Sequence, residues 1–321
     1  MVDRAEWGRP SCTTALTGGL TGLYGEIVSL PSDLRDPARL SSERPEPGPL
    51  LFARFALPPN QLGYCGGDEA NSLLQHIAAG VVDEDLVRQC RDFEGAYPYL
   101  RLIAAGASPA TGSSPAEPLD PLDRAVVEGY WLGGPALGAA SSGDVGPRFA
   151  TQLETRFRAR TPAREWPWLA AKPAAGALPH HSFHVLEVLP RVGLMRGGIP
   201  SAVVPTLEQC LIRPARVVAV EGDLLRVRAS RLSLRDGRFV LDGCEADGRP
   251  PGQIGALADG AGSDDELVTW RADGTELIPD PRPGDTVALH WGWACDRLTP
   301  REERRLLSVT QASVARANAT V

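Results

Sequence analysis

No stretch of the chain approaches the roughly 20 consecutive apolar residues that a membrane-spanning helix needs, so no candidate span is found. The opening residues, MVDRAEWGRPSCTTALTGG, place Asp3 and Glu6 ahead of any apolar run, which excludes a secretory signal or transit peptide there. Positive charge is also short. Lys and Arg number 33 against 40 Asp and Glu, a net charge of −7 with no Lys-rich stripe, and that argues against a protein that lives on phosphate backbones. Cysteines are few and scattered, at 12, 65, 90, 210, 244 and 295. Without a Cys-x-x-Cys or a tight cluster they spell neither a zinc knuckle nor a disulfide framework. Reduced thiols in a cytoplasm fit best. The expectation is a cytoplasmic protein with neither membrane nor nucleic acid as partner.

What is present is enough apolar sequence, 43% of 321 residues, to bury one large core or, more readily, two domains of ordinary size. Residues 1–49, ending in SSERPEPGPL, read as a loosely ordered leader rich in Gly, Pro, Ser and Thr. Residues 50–204 read as a mainly helical domain. Asp68 is placed to cap a helix carrying Leu73, Leu74, Ile77 and Ala78 at helical spacing, and DEDLVRQCRDFEGAYPYLRLIAAG and DPLDRAVVEGYWLGG follow as further helices. Residues 205–321 change to short β-branched runs, with an Asp236-Gly237 hairpin signal and a Gly-, Asp- and Pro-rich insertion, EADGRPPGQIGALADGAGSDDE, read as an exposed loop. A helix opened by the capping-box pair Thr299 and Glu302 closes the chain. The fold class is α+β, a helical part followed by a small β-barrel or sandwich and a C-terminal helix.

Three stretches carry chemistry. LPHHSFHVLE sets three of the five histidines and a carboxylate within eight residues. On a helix His180 and His184 share a face with Glu187 one turn on, a spacing that suits metal ligands; on a strand His180, Ser182 and His184 share a face instead. A buried polar network is the competing reading, and the apolar residues Phe183, Val185, Leu186, Val188 and Leu189 favour it, on a core strand. The second stretch, CLIRPARVVAVEGD, begins at Cys210, a residue type that most often simply packs. The third, RPGDTVALHWGWACDRL, launches a strand from a Pro-Gly-Asp turn and ends it at His290 before an aromatic-Gly-aromatic run, whose bland reading is barrel-closing packing.

Taken together, the second and third stretches resemble the two signature pieces of the HypC/HupF family, small chaperones of [NiFe]-hydrogenase assembly. The matching residues are Cys210, Leu211, Pro214, Arg216, Val217, Val218, Gly222 and Asp223, then Pro283, Gly284, Asp285, Val287, His290, Gly292, Trp293 and Ala294, with the helix REERRLL behind them. The resemblance covers residues 208–312. It implies an OB-like barrel in which Cys210 is the thiolate ligand, and His290 the second ligand or its support, for iron bearing cyanide and carbon monoxide. That iron passes between maturation factors and the hydrogenase large subunit. In the family the cysteine follows the initiator methionine, whereas Cys210 is internal. The helical half, through GYCGGDEA, DFEGAYPYL, DPLDRAVVEGYW and PHHSFHV, resembles uncharacterised actinobacterial proteins associated with hydrogenase gene clusters.

The leading expectation is therefore an accessory protein that binds rather than catalyses. The alternative is a metal-dependent enzyme whose site is built on His180, His181, His184 and Glu187, with Cys65 or Asp68 brought alongside. A third reading, an OB-like nucleic-acid binder using Arg213, Arg216, Arg226, Arg228 and Arg231 with Trp291 and Trp293 as stacking platforms, conflicts with the negative charge. Two further expectations concern packing. Cys210 should be partly exposed at one end of the barrel, and Cys244 and Cys295 should be structural.

Overall fold

A computed structural model describes residues 46–107, 118–141, 145–192, 203–242 and 265–319. Cys12, Cys244, residues 1–45 of the leader and most of the Gly/Asp-rich insertion lie outside the described residues.

The N-terminal part is helical. α1 (Gly48–Gln61) is buried on every side, with Leu51, Phe52, Phe55 and Leu57 fully covered, as a helix at the centre of a core must be. It starts inside the segment read as a leader. Around it lie α2 (Ala70–Ala79), α3 (Glu84–Asp92), α4 (Tyr97–Ala107), α5 (Arg124–Leu132), α6 (Pro135–Ser141), α7 (Val145–Phe157) and the short α8 (Trp166–Ala170). Local chemistry sets several ends. The Asp83 side chain accepts from the Leu86 N–H to start α3, Asp123 accepts from the Ala125 N–H to start α5, and Gly133 in the left-handed region ends α5. Asp68 does not cap α2, whose N-cap position is Glu69 and carries no side-chain cap bond.

LPHHSFHVLE is not a strand. His181–Phe183 form one turn of α-helix, α9, which runs straight into a π-helical turn over His184–Val188. The apolar run that suggested a core strand is instead buried all round a wide helical turn, with Phe183, Val185, Leu186 and Val188 each at most 1% exposed. α10 (Val204–Cys210) follows, so Cys210 ends a helix and does not open a strand.

The sheet region comprises β1 (Arg213–Glu221), β2 (Leu224–Ala229), β3 (Arg231–Arg235), β4 (Arg238–Asp242), β5 (Glu266–Thr269), β6 (Arg271–Ala272), β7 (Thr275–Glu276), β8 (Thr286–His290) and β9 (Trp293–Leu298). Five strands pair in the order β1-β2-β5-β9-β8, and β8 pairs back onto β1, closing the ring around Val217, Leu225, Val227, Val268, Val287 and Leu289. β3 and β4 form a separate hairpin whose turn residues Asp236 and Gly237 both have positive φ, the two-residue turn that Asp-Gly predicts. α11 (Pro300–Asn318) opens with the Thr299–Glu302 capping box and packs across the helical part and the sheet.

Helices and sheet share one interior. The largest core cluster takes in Phe52, Phe55 and Trp131 from the helices together with Ile212, Leu277, Ala288, Cys295 and Leu298 from the sheet region. Arg54 crosses the same boundary. Its guanidinium donates to the Leu277 carbonyl at 2.9 Å and to Asp296 Oδ1 at 3.2 Å, so the buried charge is paired across the join.

Candidate metal centre

Three elements end at one point inside the molecule. α9 delivers His181, the last residue of α10 is Cys210, and the last residue of β8 is His290; one donor atom from each lies within 4.8 Å of the others. All three are buried, at 6%, 8% and 2% exposure, so the expectation that Cys210 is partly exposed is corrected. Its position at a helix end beneath α9, not on an open sheet edge, is the reason.

The turn after β8 fixes this geometry. Trp291 (φ 50°) and Gly292 (φ 75°) both adopt the left-handed region, making a two-residue hairpin between His290 and its cross-strand partner Trp293. Trp-Gly is thus a turn signature as much as packing. The Trp291 N–H donates to the Gln209 carbonyl at 2.7 Å, which locks the hairpin tip to the residue beside Cys210.

Hydrogen bonds set the histidine tautomers. The Phe55 carbonyl at 2.7 Å can only accept, so His290 Nδ1 carries the hydrogen and Nε2 keeps its lone pair. Nε2 is buried and makes no hydrogen bond. A carbonyl holding the outer ring nitrogen while the inner one points bare into a cluster is how ligating histidines are oriented. His181 is held differently. Its Nε2 donates to the Cys210 carbonyl at 2.7 Å and lies 3.9 Å from the Cys210 sulfur, while Nδ1 meets the Tyr130 hydroxyl at 3.1 Å. Moving the hydrogen to Nδ1 lets the Tyr130 oxygen accept a hydrogen bond from it while the hydroxyl donates to the Gly95 carbonyl at 3.3 Å, and leaves His181 Nε2 with a lone pair in place of its hydrogen. The Trp131 indole walls one side, 4.8 Å from the His181 ring and 5.7 Å from the His290 ring between centroids.

Burial keeps every donor neutral. It lowers His181 to about 4 against an upward pull from the Cys210 carbonyl, and it drives His290 well below the ordinary imidazole value, with His181 adding to the effect and the Phe55 and Cys210 carbonyls opposing it. The Cys210 thiol is pushed far above its ordinary value, chiefly by burial and then by Cys65, with the Trp291 indole opposing. Two neutral imidazoles and one thiol suit a borderline or soft transition ion, and a carboxylate site for calcium or magnesium does not match this donor set.

The other sequence candidates go elsewhere. His180 caps α9, its Nδ1 accepting from the Ser182 N–H at 3.0 Å. His184 meets the Tyr99 hydroxyl at 3.1 Å, and Glu187 pairs with Arg316 at 3.2 Å and Lys172 at 3.9 Å. Ser182 reaches Ser313 on α11, so this part of the motif is a buried polar network tying α9 to the C-terminal helix. Of His180, His181, His184 and Glu187, His181 alone joins the cluster. Cys65 sits on an exposed loop beside it, Asp68 is exposed farther along that loop, and Cys295 is buried with its sulfur near the Trp293 carbonyl. The convergence of His181 with Cys210 and His290 had no local signal, because it depends on packing α9 against α10 and the β8–β9 turn.

Fold and site together define an α+β protein with a buried two-histidine, one-cysteine donor cluster at the junction of its helices and its sheet. The chain belongs to a family of unknown function, DUF6390, whose profile matches residues 44–248 and 255–321. No curated protein and no solved structure matches it. Among the described residues no helix is long and apolar enough to cross a membrane.

Proposed function

We propose that this protein is an accessory factor of [NiFe]-hydrogenase maturation that holds an iron centre, as cargo, through Cys210 and His290, with His181 as third donor, and presents it to the large subunit or another maturation factor. The observation that carries the reading is the bare, buried Nε2 of His290 pointing at a cysteine and a second imidazole, since a buried polar atom left without a partner costs stability unless something else satisfies it. Cys210 and His290 are also the two residues through which the sequence resembles the HypC/HupF chaperones. The closed five-stranded ring followed by a helix is consistent with the OB-like barrel of that resemblance.

Bound iron would supply strong-field coordination chemistry. The protein's own part is to orient His290 through the Phe55 carbonyl, to release the Cys210 proton on loading, and to exclude water with Trp131 and the surrounding core.

The test is anaerobic purification from a hydrogenase-producing host, with iron analysis and infrared spectra in the cyanide and carbonyl region. About one iron per chain with those bands, lost in Cys210→Ala and His290→Ala, is the expected result. Metal-free protein from that host, or iron retained by both variants, overturns the reading.

A further inference from the structure

The cluster has three donors, and their charges do not balance. A divalent ion that brings no anionic ligands of its own, held by two neutral imidazoles and the single thiolate of Cys210, leaves a net positive charge in a site whose residues are all at least nine-tenths buried, and among the described residues no Asp or Glu joins the group. Burying an uncompensated charge is costly, and the soft metals that such donors select take four ligands. The bare Nε2 of His290 marks where an ion would sit. A second thiolate nearby would both complete the sphere and neutralise it.

One is available. The loop between α1 and α2 carries Tyr64-Cys65-Gly66-Gly67, and it is fastened at both sides of the cysteine. On one side the Tyr64 ring stacks on Trp291 at 4.3 Å between centroids, directly beside His290. On the other, Gly66 (φ +83°) is seated so tightly that a Cβ there would come within 2.5 Å of the Phe93 ring, and the Asn60 amide donates to the carbonyls of Cys65 and Gly67. Cys65 itself is exposed and its sulfur lies outside the 4.8 Å cluster, but its neighbour Tyr64 is stacked on the turn residue that follows His290. Gly63 and Gly66 both sit in the left-handed region and set the tight turn that carries Cys65.

Building on the metal-binding reading, we propose that Cys65 is the fourth ligand: the Tyr64–Gly67 loop closes over the cluster when a divalent transition ion enters, converting a His2Cys site into a neutral His2Cys2 site. The exposed position of Cys65 leaves the entrance to the cluster accessible, and the Tyr64–Trp291 stack is the contact about which the loop closes. Loading releases one proton from each thiol, Cys65 and Cys210, and forms two metal–sulfur bonds.

Cobalt(II) titrated into the full-length, reduced protein under anaerobic conditions tests this, because near-ultraviolet thiolate-to-cobalt absorption grows with the number of cobalt–sulfur bonds. The parent should show the intensity of two thiolates. Cys65→Ser should still bind, with half that intensity and an affinity at least about tenfold weaker, given that losing even an outer partner of a ligand costs 10–100-fold. Gly66→Ala, which leaves Cys65 in place but cannot seat the loop, should lose the same half. Alkylation of Cys65 by a maleimide should be fast without cobalt and slow with it. One-thiolate spectra in the parent, unchanged by Cys65→Ser, overturn the fourth ligand and leave the three-donor centre standing. If the parent binds no cobalt at all, the metal-binding reading itself fails and the fourth ligand falls with it.

Discussion

At the scale of single residues, Tyr130 is the side chain whose role is easiest to isolate. Its hydroxyl is the group that would accept a hydrogen bond from His181 Nδ1–H if Nε2 turned to an ion, while donating its own to the Gly95 carbonyl. Tyr130→Phe keeps the ring that packs on Trp131 at 4.6 Å and removes only that oxygen. Metal affinity measured by chelator competition should fall about 10–100-fold, whereas thermal stability of the metal-free protein should fall by only about 1 kcal/mol. An unchanged affinity would show that His181 does not ligate through Nε2. Glu187 makes the opposite case. It is wholly buried between Arg316 and Lys172, and burial lowers Lys172 to about 8 while Glu187 and Arg316 pull it in opposite directions. Glu187→Ala strands two buried cations and should destabilise the fold by about 3–5 kcal/mol in urea unfolding, with bound metal per folded chain unaltered.

At the scale of elements, the hairpin Trp291-Gly292 positions His290, and it needs positive φ at both residues. Gly292→Val places a β-branched side chain in the left-handed region and should cost about 1–2 kcal/mol in denaturant unfolding, while weakening metal binding through displacement of His290. The elements legible in the sequence are those written by local chemistry. Asp236-Gly237 makes its hairpin, Gly284 makes the turn before β8, and Thr299 and Glu302 bond reciprocally at the start of α11. Others were decided at a distance. The segment after His181 has the apolar density of a buried strand, and packing on all sides by α10, α11 and the β3–β4 hairpin makes it a π-helical turn. Cys210 reads as a strand opening because Val217 and Val218 follow, but Pro205 starts a helix that carries it to its last turn. Two of the three donors stood out because each lay in a recognisable motif. His181 was one of three histidines in a row of candidates, and only the tertiary packing chooses among them.

At the scale of the whole molecule, the protein should be sensitive to acid. Burial lowers His181 to about 4 and His184 to about 3, and drives His180 and His290 well below the ordinary value, so all four are neutral when folded. In the unfolded chain they titrate near 6.5, so as pH falls the unfolded state takes up protons first. The stability they contribute is complete above about pH 7. It is lost progressively as pH falls from about 6.5 towards the folded values, by roughly 2 kcal/mol each for His181 and His184 at pH 5, with His180 and His290 acting in the same direction. Urea midpoints at pH 8 and pH 5 measure this, and a pH-independent midpoint would contradict the buried, neutral assignment.

The three donors lie far apart along the chain, with Cys210 29 positions after His181 and a further stretch through the closed ring of strands before His290. A growing polypeptide therefore has no site at all until β8 has emerged and found β1. On the proposed function, loading is reserved for chains that have completed their sheet, and an ion held there would cross-link three distant segments and resist their separation. The cluster would thus read out folding itself: a misassembled chain brings no three donors together.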